Sequence, residues 1–482
     1  MRLLIEPSAV SKIDAAAIRS GIDSYRLMYA AGSAVAAAAL KHWPGALRFV
    51  VLAGPGNNGG DGHVAAGVLR QSGAVVAVYE MAPPATADAR RAAAESGVGA
   101  EPIGAYLPRA GDVVIDALFG AGLGRDLSPE IAGLIAGVED ARLPVLAVDM
   151  PSGIDGHSGA IRGAAFRATR TVTFMALKPG QILLPGREYC GEIEIAEIGV
   201  PQRLVAEHAC RTVLNDPANW SSSARGKTPA SHKYTHGALV VFSGPSGRTG
   251  AARLSAAAGL RAGAGLVTVA SPSDAMAENA AHLTAVMLHE VDDRAALRAW
   301  LADRRLSTFV LGPAFGIGEK TREFVAELAD RRLVLDADGL TAFRDRPQEL
   351  FDLFAEDETR LILTPHAGEF ARLFPDLAED ETLSKVERAQ AAAERAHAAV
   401  ILKGADTVIA EPGGRAAINT NAPPWLATAG SGDVLAGICG GLLAQGYPAF
   451  EAACAAVWHH GEAASRAGRG LTAETLINFI DI

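Results

Sequence analysis

Cysteine, net positive charge and long apolar runs are all scarce in this sequence. The 482 residues include only four cysteines, at positions 190, 210, 439 and 454, and their spacing matches no metal-binding pattern. So few cysteines in so long a chain indicate a reducing compartment. The formal net charge of -10 argues against a general nucleic-acid or anionic-membrane binder, but it allows small anionic ligands in local pockets.

The apolar runs are too short for targeting or for membrane insertion. The first residues, MRLLIEPSAVSK, contain too short a run for a signal peptide, and the Ala-rich stretch from Met28 to Leu40 predicts a packed helix. With 49% hydrophobic and 20% charged residues, the composition is that of a soluble globular protein of two to three domains. We therefore expect a cytoplasmic protein with no nucleic-acid or membrane partner.

The amino-terminal half alternates short β-branched runs with helical stretches, which predicts a doubly wound parallel sheet. In such sheets, ligands bind beyond the carboxyl ends of the strands. Three strand ends carry Gly-rich or polar segments: GPGNNGGDG after RFVVLA, FGAGLGRDL after VVIDAL, and DMPSGIDG after PVLAV. The pattern predicts that these three segments converge on one ligand.

The first segment has the spacing of a dinucleotide-binding turn, with glycines at 54, 56 and 59. Glu80 closes the next apolar run at about the 20-residue distance expected of a ribose-binding acid. Asp61, however, lies in the first turn of the following helix, where its carboxylate would meet a docked pyrophosphate. These residues alone leave open whether the loop holds a redox cofactor or another ligand.

Oxygen-bearing side chains also mark these strand ends. Asn58, Asp116 and Ser152 come from three different ends, and an oxygen-only set with one carboxylate suits a hard cation of low charge better than zinc. Asp149 is either a proton-transfer carboxylate or a cap for the segment that follows it.

Residues 214–235 are polar and turn-rich, which predicts a linker between an amino-terminal domain at 1–213 and a carboxyl-terminal domain at 236–482. Lys233 within this segment is expected to be a solvated charge. After the linker, strands again end on Gly, Asp, His or Lys, and DTVIAEPGGRAAI predicts a hairpin around Gly413 and Gly414.

The sharpest motif of the second half is Gly-Ser-Gly-Asp at 430–433, before an apolar helix. Free backbone N–H groups at a helix N-terminus bind anions, and Asp433 could accept the proton of a hydroxyl during phosphoryl transfer. The alternative is an aspartate in a favourable first-turn position, and the motif alone does not separate the two.

Other polar residues follow strands of the second half. A lone histidine is more often structural than functional, but the place of His366 at a strand end favours a functional role. Asp336 could face the same crevice, whereas Asp338 is expected to cap the next helix. Lys403 lies where a nucleotide could cross the sheet edge.

Taken in order, these motifs resemble the bifunctional NAD(P)H-hydrate repair enzymes, which fuse an epimerase to a nucleotide-dependent dehydratase. The amino half is similar to the epimerase in GPGNNGGDG, DALFGAGLGR and VDMPSGIDGHSG, and the carboxyl half to the dehydratase in LTPHAGEF, LKGADTVI and AGSGDVLAG. The resemblance implies an α/β fold with two doubly wound domains, the first Rossmann-like and the second ribokinase-like. It also implies an isomerase and lyase that repairs hydrated NADH and NADPH.

In the amino half, the resemblance implies two loops and Asp149 as the binding site of the hydrated dinucleotide, with Asp149 also catalytic. Asn58, Asp116 and Ser152 would bind potassium. The loop residues are Asn57, Asn58, Gly59, Gly60 and Asp61 in the first loop, and Gly120, Ala121, Gly122, Leu123, Gly124, Arg125 and Asp126 in the second.

In the carboxyl half, the resemblance implies a hydrate site with Asp433 as the catalytic base and an adjoining site for ADP or ATP as co-substrate. Magnesium and a homo-oligomeric state are also implied. The hydrate would contact Ala252, Gly316, His366 and Asp433. The nucleotide would contact Lys403, Gly404, Ala405, Asp406, Thr407 and Gly432.

Three residues depart from the family's pattern. Ala314 replaces a usual glycine and tightens a loop that would face the hydrate, Tyr29 replaces a common acid, and Tyr234 replaces a usual glycine. A small-alcohol or vitamin kinase is an alternative for the second half, but it leaves LTPHAGEF and the first half without a role. A binding module descended from an epimerase is a further alternative, which the joint presence of Asp116, Asp149 and Ser152 disfavours.

Overall fold

The structure, a computed structural model, describes residues 3–223, 236–355 and 358–482. The chain forms two compact units, one ending at Cys210 and the other extending from Arg211 to Ile482. Each is an α/β domain built on a mainly parallel sheet, which confirms the predicted fold class. Among the described residues, no helix combines the length and apolar character needed to cross a bilayer.

The N-terminal unit is a parallel sheet with helices on both faces. Its strands are β1 (Arg48–Ala53), β2 (Val76–Glu80), β3 (Ala100–Pro102), β4 (Asp112–Ala117), β5 (Val145–Val148), β6 (Arg170–Phe174) and β7 (Glu192–Ala196). Its helices are α1 (Pro7–Arg19), α2 (Ser24–His42), α3 (Asn57–Gln71), α4 (Ala87–Ser96), α5 (Pro129–Asp140), α6 (Gly186–Tyr189) and α7 (Gln202–His208). The Ala-rich stretch predicted as a packed helix is part of α2.

The strand order is β3-β2-β1-β4-β5-β6-β7, and every pair is parallel. Each face of the sheet has its own hydrophobic core, and alternate residues of β1 point to opposite faces. Val50 and Leu52 belong to the core that includes residues of α5. Phe49 and Val51 belong to the core that includes residues of α2 and α3. Because the chain runs from β1 to β2 and β3 and then returns to β4 on the other side of β1, the switch point lies between β1 and β4.

The C-terminal unit is also built on a mainly parallel sheet, which is longer than that of the N-terminal unit. Its strands are β8 (Thr212–Leu214), β9 (Ala238–Phe242), β10 (Leu266–Ser271), β11 (Met287–Glu290), β12 (Thr308–Leu311), β13 (Arg332–Leu335), β14 (Leu361–Leu363), β15 (Ala398–Leu402), β16 (Val408–Ala410) and β17 (Ala416–Ile418). Its helices are α8 (Gly250–Arg261), α9 (Met276–His282), α10 (Arg294–Trp300), α11 (Glu319–Glu327), α12 (Asp338–Thr341), α13 (Pro347–Leu353), α14 (Ala367–Leu373), α15 (Pro375–Glu379), α16 (Lys385–Ala396), α17 (Ser431–Ala444), α18 (Ala449–Ala467) and α19 (Ala473–Leu476).

The order of this sheet is β11-β10-β9-β12-β13-β14-β15-β16-β17-β8. It is parallel from β11 to β15, and β15, β16 and β17 then pair antiparallel. The predicted hairpin is β16–β17, whose turn contains Gly413 and Gly414 at φ of 87° and 83°, a conformation that favours glycine. The switch point lies between β9 and β12, by the same argument as in the first unit.

The structure differs from the predicted linker over residues 214–223. Strand β8 pairs in parallel with β17, so the predicted limit at residue 213 falls inside a strand of the C-terminal unit. Trp220 is 6% exposed, and its ring centroid lies 5.9 Å from that of Trp458. A few apolar side chains among polar neighbours are enough to anchor this segment in the core. Residues 224–235, with Lys233 and Tyr234, lie outside the described residues.

Candidate functional site

The predicted convergence of strand ends in the N-terminal unit forms a cavity of about 1010 Å³. Residues from the segments after β1, β4 and β5 line it, together with residues of α1 and α2. The predicted site residues in its lining are Asn57, Asn58, Asp61, Gly120, Ala121, Gly122, Leu123, Gly124, Arg125 and Asp149. The fold thus places most of the predicted hydrate-binding residues around one space.

Three of the hydrate-binding residues predicted in the N-terminal unit, Gly59, Gly60 and Asp126, are absent from this lining. A Cβ atom at Gly59 would lie 1.8 Å from the carbonyl oxygen of Gly54, so this glycine lets two backbone segments approach closely. A Cβ at Gly60 would lie 2.7 Å from the Sδ atom of Met28. Asp126 is exposed.

Asp149 follows β5 with a φ of 65° and is 9% exposed. Its carboxylate accepts hydrogen bonds from the Ala121 N–H at 3.2 Å and from the Thr173 hydroxyl at 3.2 Å, and it forms an ion pair with Lys178. The Gln181 side-chain amide donates to its carbonyl oxygen at 2.8 Å. The carboxylate of Asp149 therefore has partners at Ala121, Thr173 and Lys178. None of them belongs to the segment that directly follows Asp149, so the carboxylate does not cap that segment.

Lys178 fixes the charge state of this carboxylate. The lysine is 1% exposed, and its ammonium also donates to the Thr173 hydroxyl at 2.8 Å and to the Phe174 carbonyl at 3.2 Å. Burial raises the pKa of Asp149, but the charge and hydrogen bond of Lys178 outweigh burial, so the pKa of Asp149 lies below its usual value. The cavity therefore contains a carboxylate that stays ionised.

Asp14 and Asp61 also line the cavity. Their pKa values are raised, whereas the pKa of Asp149 is lowered. Burial, followed by the negative charges of Asp149 and Asp14, raises the pKa of Asp61 well above its usual value. Burial and the charge of Asp149 likewise raise the pKa of Asp14, against the opposing charge of Lys178. The site therefore combines one carboxylate whose pKa is lowered with two carboxyl groups whose pKa values are raised.

The three predicted cation ligands come from neighbouring strand ends. Asp116 accepts hydrogen bonds from the Ser152 hydroxyl at 2.6 Å and from the Ser152 N–H at 2.7 Å, and it is fully buried. Burial raises the pKa of Asp116 to about 6. The amide nitrogen of Asn58 is buried without a hydrogen-bond partner, and its Oδ1 atom would lie 3.3 Å from a Cβ at Gly120. The buried oxygens of Asp116 and Ser152 are of the kind that fit a cation such as potassium.

Glu80 stands where a dinucleotide-binding turn would place its ribose-binding acid. Its Oε1 atom lies 3.1 Å from Nε2 of His63, which is 1% exposed on α3. The acid therefore faces the helix that follows the Gly-rich turn. It is absent from the cavity lining.

In the C-terminal unit, the Gly-Ser-Gly-Asp motif forms the first turn of α17. Gly430 precedes the helix at a φ of 84°, and the Ser255 hydroxyl of α8 donates to the Asp433 carbonyl at 2.7 Å. A Cβ at Gly437 would lie 2.1 Å from the Ser255 carbonyl, so small residues let α17 pack closely on α8. This packing holds the N-terminus of α17 in place.

A lysine and two acids lie beside this turn. Lys403 follows β15, and its ammonium lies 3.0 Å from Asp336 after β13 and 3.9 Å from Glu369 of α14. A Cβ at Gly432 would lie 3.7 Å from that ammonium and 3.8 Å from Oδ2 of Asp336. The predicted nucleotide residues Lys403 and Gly432 are therefore neighbours.

Asp433 has the pKa of a base that works near neutrality. Burial and the negative charge of Asp336 raise the pKa of Asp433 to about 6, although Lys403 opposes the shift. At neutral pH most Asp433 side chains are ionised and able to accept a proton. The electrostatics thus favour a catalytic role over a purely helix-stabilising one.

His366 caps the helix that follows it. Its Nδ1 atom accepts hydrogen bonds from the Gly368 N–H at 2.9 Å and the Glu369 N–H at 3.4 Å at the start of α14. Nε2 lies 3.4 Å from Oε1 of Glu369, and the side chain is 54% exposed. Both ring nitrogens therefore contact the first turn of α14, while about half of the side chain stays open to solvent.

Asp338 does not cap the next helix as predicted. It is the first residue of α12, which begins after Ala337 without a side-chain cap, and its carboxylate accepts the Gly316 N–H at 3.0 Å. The strained entry at Ala337, with a φ of 51°, puts Asp338 inside the helix instead of before it. Asp338 thereby positions Gly316, a predicted hydrate-binding residue.

The remaining predicted nucleotide residues form a tight turn after β15. The Thr407 hydroxyl donates to the Gly404 carbonyl at 2.7 Å and accepts the Gly404 N–H at 3.1 Å. Asp406 forms an ion pair with Lys385 of α16. Ala405 lies between these anchored residues. Ala252, a predicted hydrate residue, is fully buried on α8, so its side chain packs in the core.

Two of the three departures from the family pattern lie in described segments. Ala314 has a φ of 57°, a left-handed conformation that costs a non-glycine residue about 1–2 kcal/mol. Tyr29 on α2 is 49% exposed.

Sequence reasoning missed Asp14 and Lys178 in the first unit and Glu369 and Lys385 in the second. Lys178 lies just beyond β6, so its strand-end position was an available signal. Glu369 belongs to the LTPHAGEF segment, in which the strand-end histidine is the more obvious candidate. Nothing in the local sequence marks Asp14 or Lys385, because their neighbours come from distant parts of the chain.

Comparison with known proteins agrees with this two-part arrangement. Residues 239–478 match a family model described as NAD(P)H-hydrate dehydratase, and residues 24–180, which begin after α1, match the YjeF-related protein N-terminus. A Bacillus subtilis ADP/ATP-dependent NAD(P)H-hydrate dehydratase, crystallised with ATP and magnesium, is a structural neighbour with 23% identity and a TM-score of 0.45. The match covers 55% of this chain and 95% of the Bacillus subtilis chain.

Curated relatives match over nearly the whole chain. The bifunctional NAD(P)H-hydrate repair enzyme Nnr of Coxiella burnetii is 33% identical over 99% of this chain and 98% of its own length. The Nnr enzyme of Moorella thermoacetica is 36% identical over 93% of this chain and 89% of its own length. With both halves matched in a single alignment, the chain belongs to the family of bifunctional NAD(P)H-hydrate repair enzymes.

Proposed function

We propose that this protein repairs hydrated NADH and NADPH in two steps. The N-terminal unit interconverts the R and S hydrates, and the C-terminal unit dehydrates the S hydrate back to the reduced dinucleotide with ADP or ATP as co-substrate. The observation that carries the proposal is the cavity of about 1010 Å³. The predicted first loop, which forms the first turn of α3 and contributes Asn57, Asn58 and Asp61, surrounds this space together with the Gly120–Arg125 loop and Asp149.

In the first step, the two loops bind the dinucleotide and Asp149 faces the hydrated ring. Because the Lys178 ammonium keeps Asp149 ionised, this carboxylate can stabilise positive charge that develops on the ring. Asn58, Asp116 and Ser152 would hold potassium, whose positive charge would balance the buried Asp116 carboxylate and order the loops. This role explains why asparagines and an aspartate occupy a turn that otherwise resembles a dinucleotide motif.

In the second step, the ring hydroxyl becomes a better leaving group. Asp433 accepts the hydroxyl proton while the hydroxyl oxygen attacks the terminal phosphoryl group of the nucleotide. The backbone N–H groups at the start of α17 and the Lys403 ammonium stabilise the negative charge of the phosphoryl group. Loss of the phosphate with its bonding electron pair, and of a proton from the adjacent ring carbon, then restores the double bond.

Magnesium would accompany the nucleotide phosphates. In the part of the chain that the structure describes, no group of three or more His, Cys, Asp or Glu side chains is arranged to hold a metal. Magnesium is usually held by one or two carboxylates together with phosphates and water. Asp336 and Glu369, beside Lys403, are the carboxylates that would take part.

The experiment that tests the proposal supplies the purified protein with mixed R and S hydrates, with and without ADP or ATP. With nucleotide, we expect all the hydrate to return to the reduced dinucleotide, followed by its absorbance. With epimerase activity absent, recovery would stop at the S fraction, and without nucleotide no recovery is expected. Phosphorylation of a small alcohol or vitamin, with neither hydrate consumed, would support the kinase alternative instead.

The same proposal includes a homo-oligomer in the cytoplasm, with one activity assigned to the unit that ends at Cys210 and the other to the unit that begins at Arg211. Light scattering of the purified protein measures the oligomeric state.

A further inference from the structure

Helix α1 forms one wall of the cavity in the N-terminal unit. Its contributions to the lining are Pro7, Val10, Ser11, Asp14 and Ile18. The segment before the helix is tied to the residue next to Lys178, because the Ile5 N–H donates to the Leu177 carbonyl at 3.0 Å. The Glu6 carboxylate also lies 2.7 Å from Nδ1 of His157. These contacts hold α1, and with it Asp14, against the site.

Asp14 shares the cavity with Asp61, Asp149 and Lys178, which come from three other elements. Burial and the charge of Asp149 raise the pKa of Asp14, against the charge of Lys178, and burial with the charges of Asp149 and Asp14 raises the pKa of Asp61. Because an ionised Asp14 disfavours ionisation of Asp61, the pair is suited to hold one proton in the shared cavity. Lys178 meanwhile engages Asp149 directly, which leaves that carboxylate as the fixed negative charge.

The chemistry of the substrate explains what two such acids could do. A reduced nicotinamide ring takes up a proton at the carbon once removed from its nitrogen, and water then adds to the carbon bonded to the nitrogen. The product carries a hydroxyl and a nitrogen on one carbon, and the R and S hydrates differ in configuration there. Inverting that carbon requires that the hydroxyl leave from one face and that water add to the other.

We propose, on the basis of the proposed epimerase function, that Asp14 is a further catalytic residue and works with Asp61 as a pair of carboxyl groups on opposite faces of the hydrated ring. The protonated member donates to the hydroxyl, the C–O bond breaks with its electron pair going to oxygen, and water leaves. The ring nitrogen lone pair forms a C=N bond, which gives a planar cation.

A second water molecule then adds to the opposite face of the cation. Its oxygen bonds to the carbon, the C=N electron pair returns to nitrogen, and the ionised member of the pair takes the released proton. One water is lost and one gained, one proton passes from one carboxyl group to the other, and nothing is oxidised or reduced. Asp149, held as a carboxylate by Lys178, stabilises the cation throughout.

The test compares Asp14→Asn with Asp14→Glu and with Asp140→Asn, an acid-to-amide change at an exposed position of α5. We expect Asp14→Asn to slow interconversion of the hydrates by about 10²- to 10⁴-fold, the contribution of a general acid or base. Asp14→Glu should restore part of the rate, and Asp140→Asn should match the wild type. Nucleotide-dependent dehydration of pure S hydrate should be unchanged in all three.

Two further readouts separate a catalytic from a structural role. Wild-type epimerisation should show a rate maximum between two pH limbs, and Asp14→Asn should lose one limb. The charged groups that face Asp14 across the cavity are Asp61 on α3, Asp149 after β5 and Lys178 after β6, with Asp88 and Arg125 also in the lining. In water enriched in ¹⁸O, each inversion should introduce solvent oxygen into the hydroxyl.

The outcomes distinguish this inference from the function on which it rests. If wild-type protein does not interconvert the hydrates, the proposed epimerase function fails. If wild-type protein interconverts them and Asp14→Asn does so at the same rate, only the role of Asp14 is overturned. A slower Asp14→Asn with both pH limbs intact would likewise overturn it, and retention of the original oxygen would refute C–O cleavage.

Discussion

Dehydration by the C-terminal unit should follow the ionisation of Asp433. As the proposed base, Asp433 must be unprotonated, and burial with the nearby Asp336 charge raises its pKa to about 6. Activity should therefore be lost as the pH falls through this value. Replacing Asp336 by asparagine removes the negative charge that raises the pKa, so the acidic limb should move to lower pH.

The pKa of Asp433 sets the size of the effect. With a pKa of about 6, roughly nine in ten Asp433 side chains are ionised near pH 7 and one in ten near pH 5. The dehydration rate at saturating nucleotide should then fall about tenfold between these two conditions. In Asp336→Asn the fall over the same interval should be smaller, because a lower pKa keeps more of the base ionised.

The assay follows recovery of the reduced dinucleotide from pure S hydrate with saturating nucleotide at each pH. Asp345→Asn, a matched change at an exposed acid, should keep the wild-type profile. Circular dichroism at each pH confirms that the protein stays folded. A flat wild-type profile, or a midpoint that stays in place in Asp336→Asn, would refute the assignment of the acidic limb to Asp433.

Three substitutions test the other assignments. Asp433→Ala should reduce dehydration by about 10²- to 10⁴-fold and leave epimerisation intact, and near-normal dehydration by the folded variant would show that Asp433 is not the base. Gly432→Val should weaken nucleotide binding measured by calorimetry, since its branched side chain would crowd the Lys403 ammonium 3.7 Å from the Cβ position; unchanged affinity would contradict the proposed anion site. Asp116→Ala should slow epimerisation and abolish any preference for potassium over sodium, whereas normal rates in both salts would make this carboxylate structural.

The order of strands and strand-end loops could be predicted because it follows from local pattern. β-branched runs such as RFVVLA and VVIDA become buried parallel strands, and parallel strands bring their carboxyl ends to one edge. The prediction that Asn58, Asp61 and Asp149 share a site needs nothing more than this topology. The segment around Trp220 was misread because its polar composition hides one large side chain that is buried in the core.

The partners of the site residues could not be predicted in this way. Asp149 and Lys178 are separated by a strand and a turn, and their ion pair depends on the three-dimensional path of the chain after β6. Asp14 lines the site on a helix that is anchored by long-range contacts, the pairing of Leu4 with Leu177 and the ion pair of Glu6 with His157. Asp338 was assigned to a cap from its position alone, yet its carboxylate holds the Gly316 N–H.

In both units, a lysine pairs with one of two neighbouring acids. In the first unit Lys178 pairs with Asp149, and in the second Lys403 lies 3.0 Å from Asp336. In each site, burial together with the negative charge of the lysine-paired carboxylate raises the pKa of another acid. An acid with a raised pKa thus lies beside a lysine-paired carboxylate in both units, an arrangement suited to proton transfer near neutral pH.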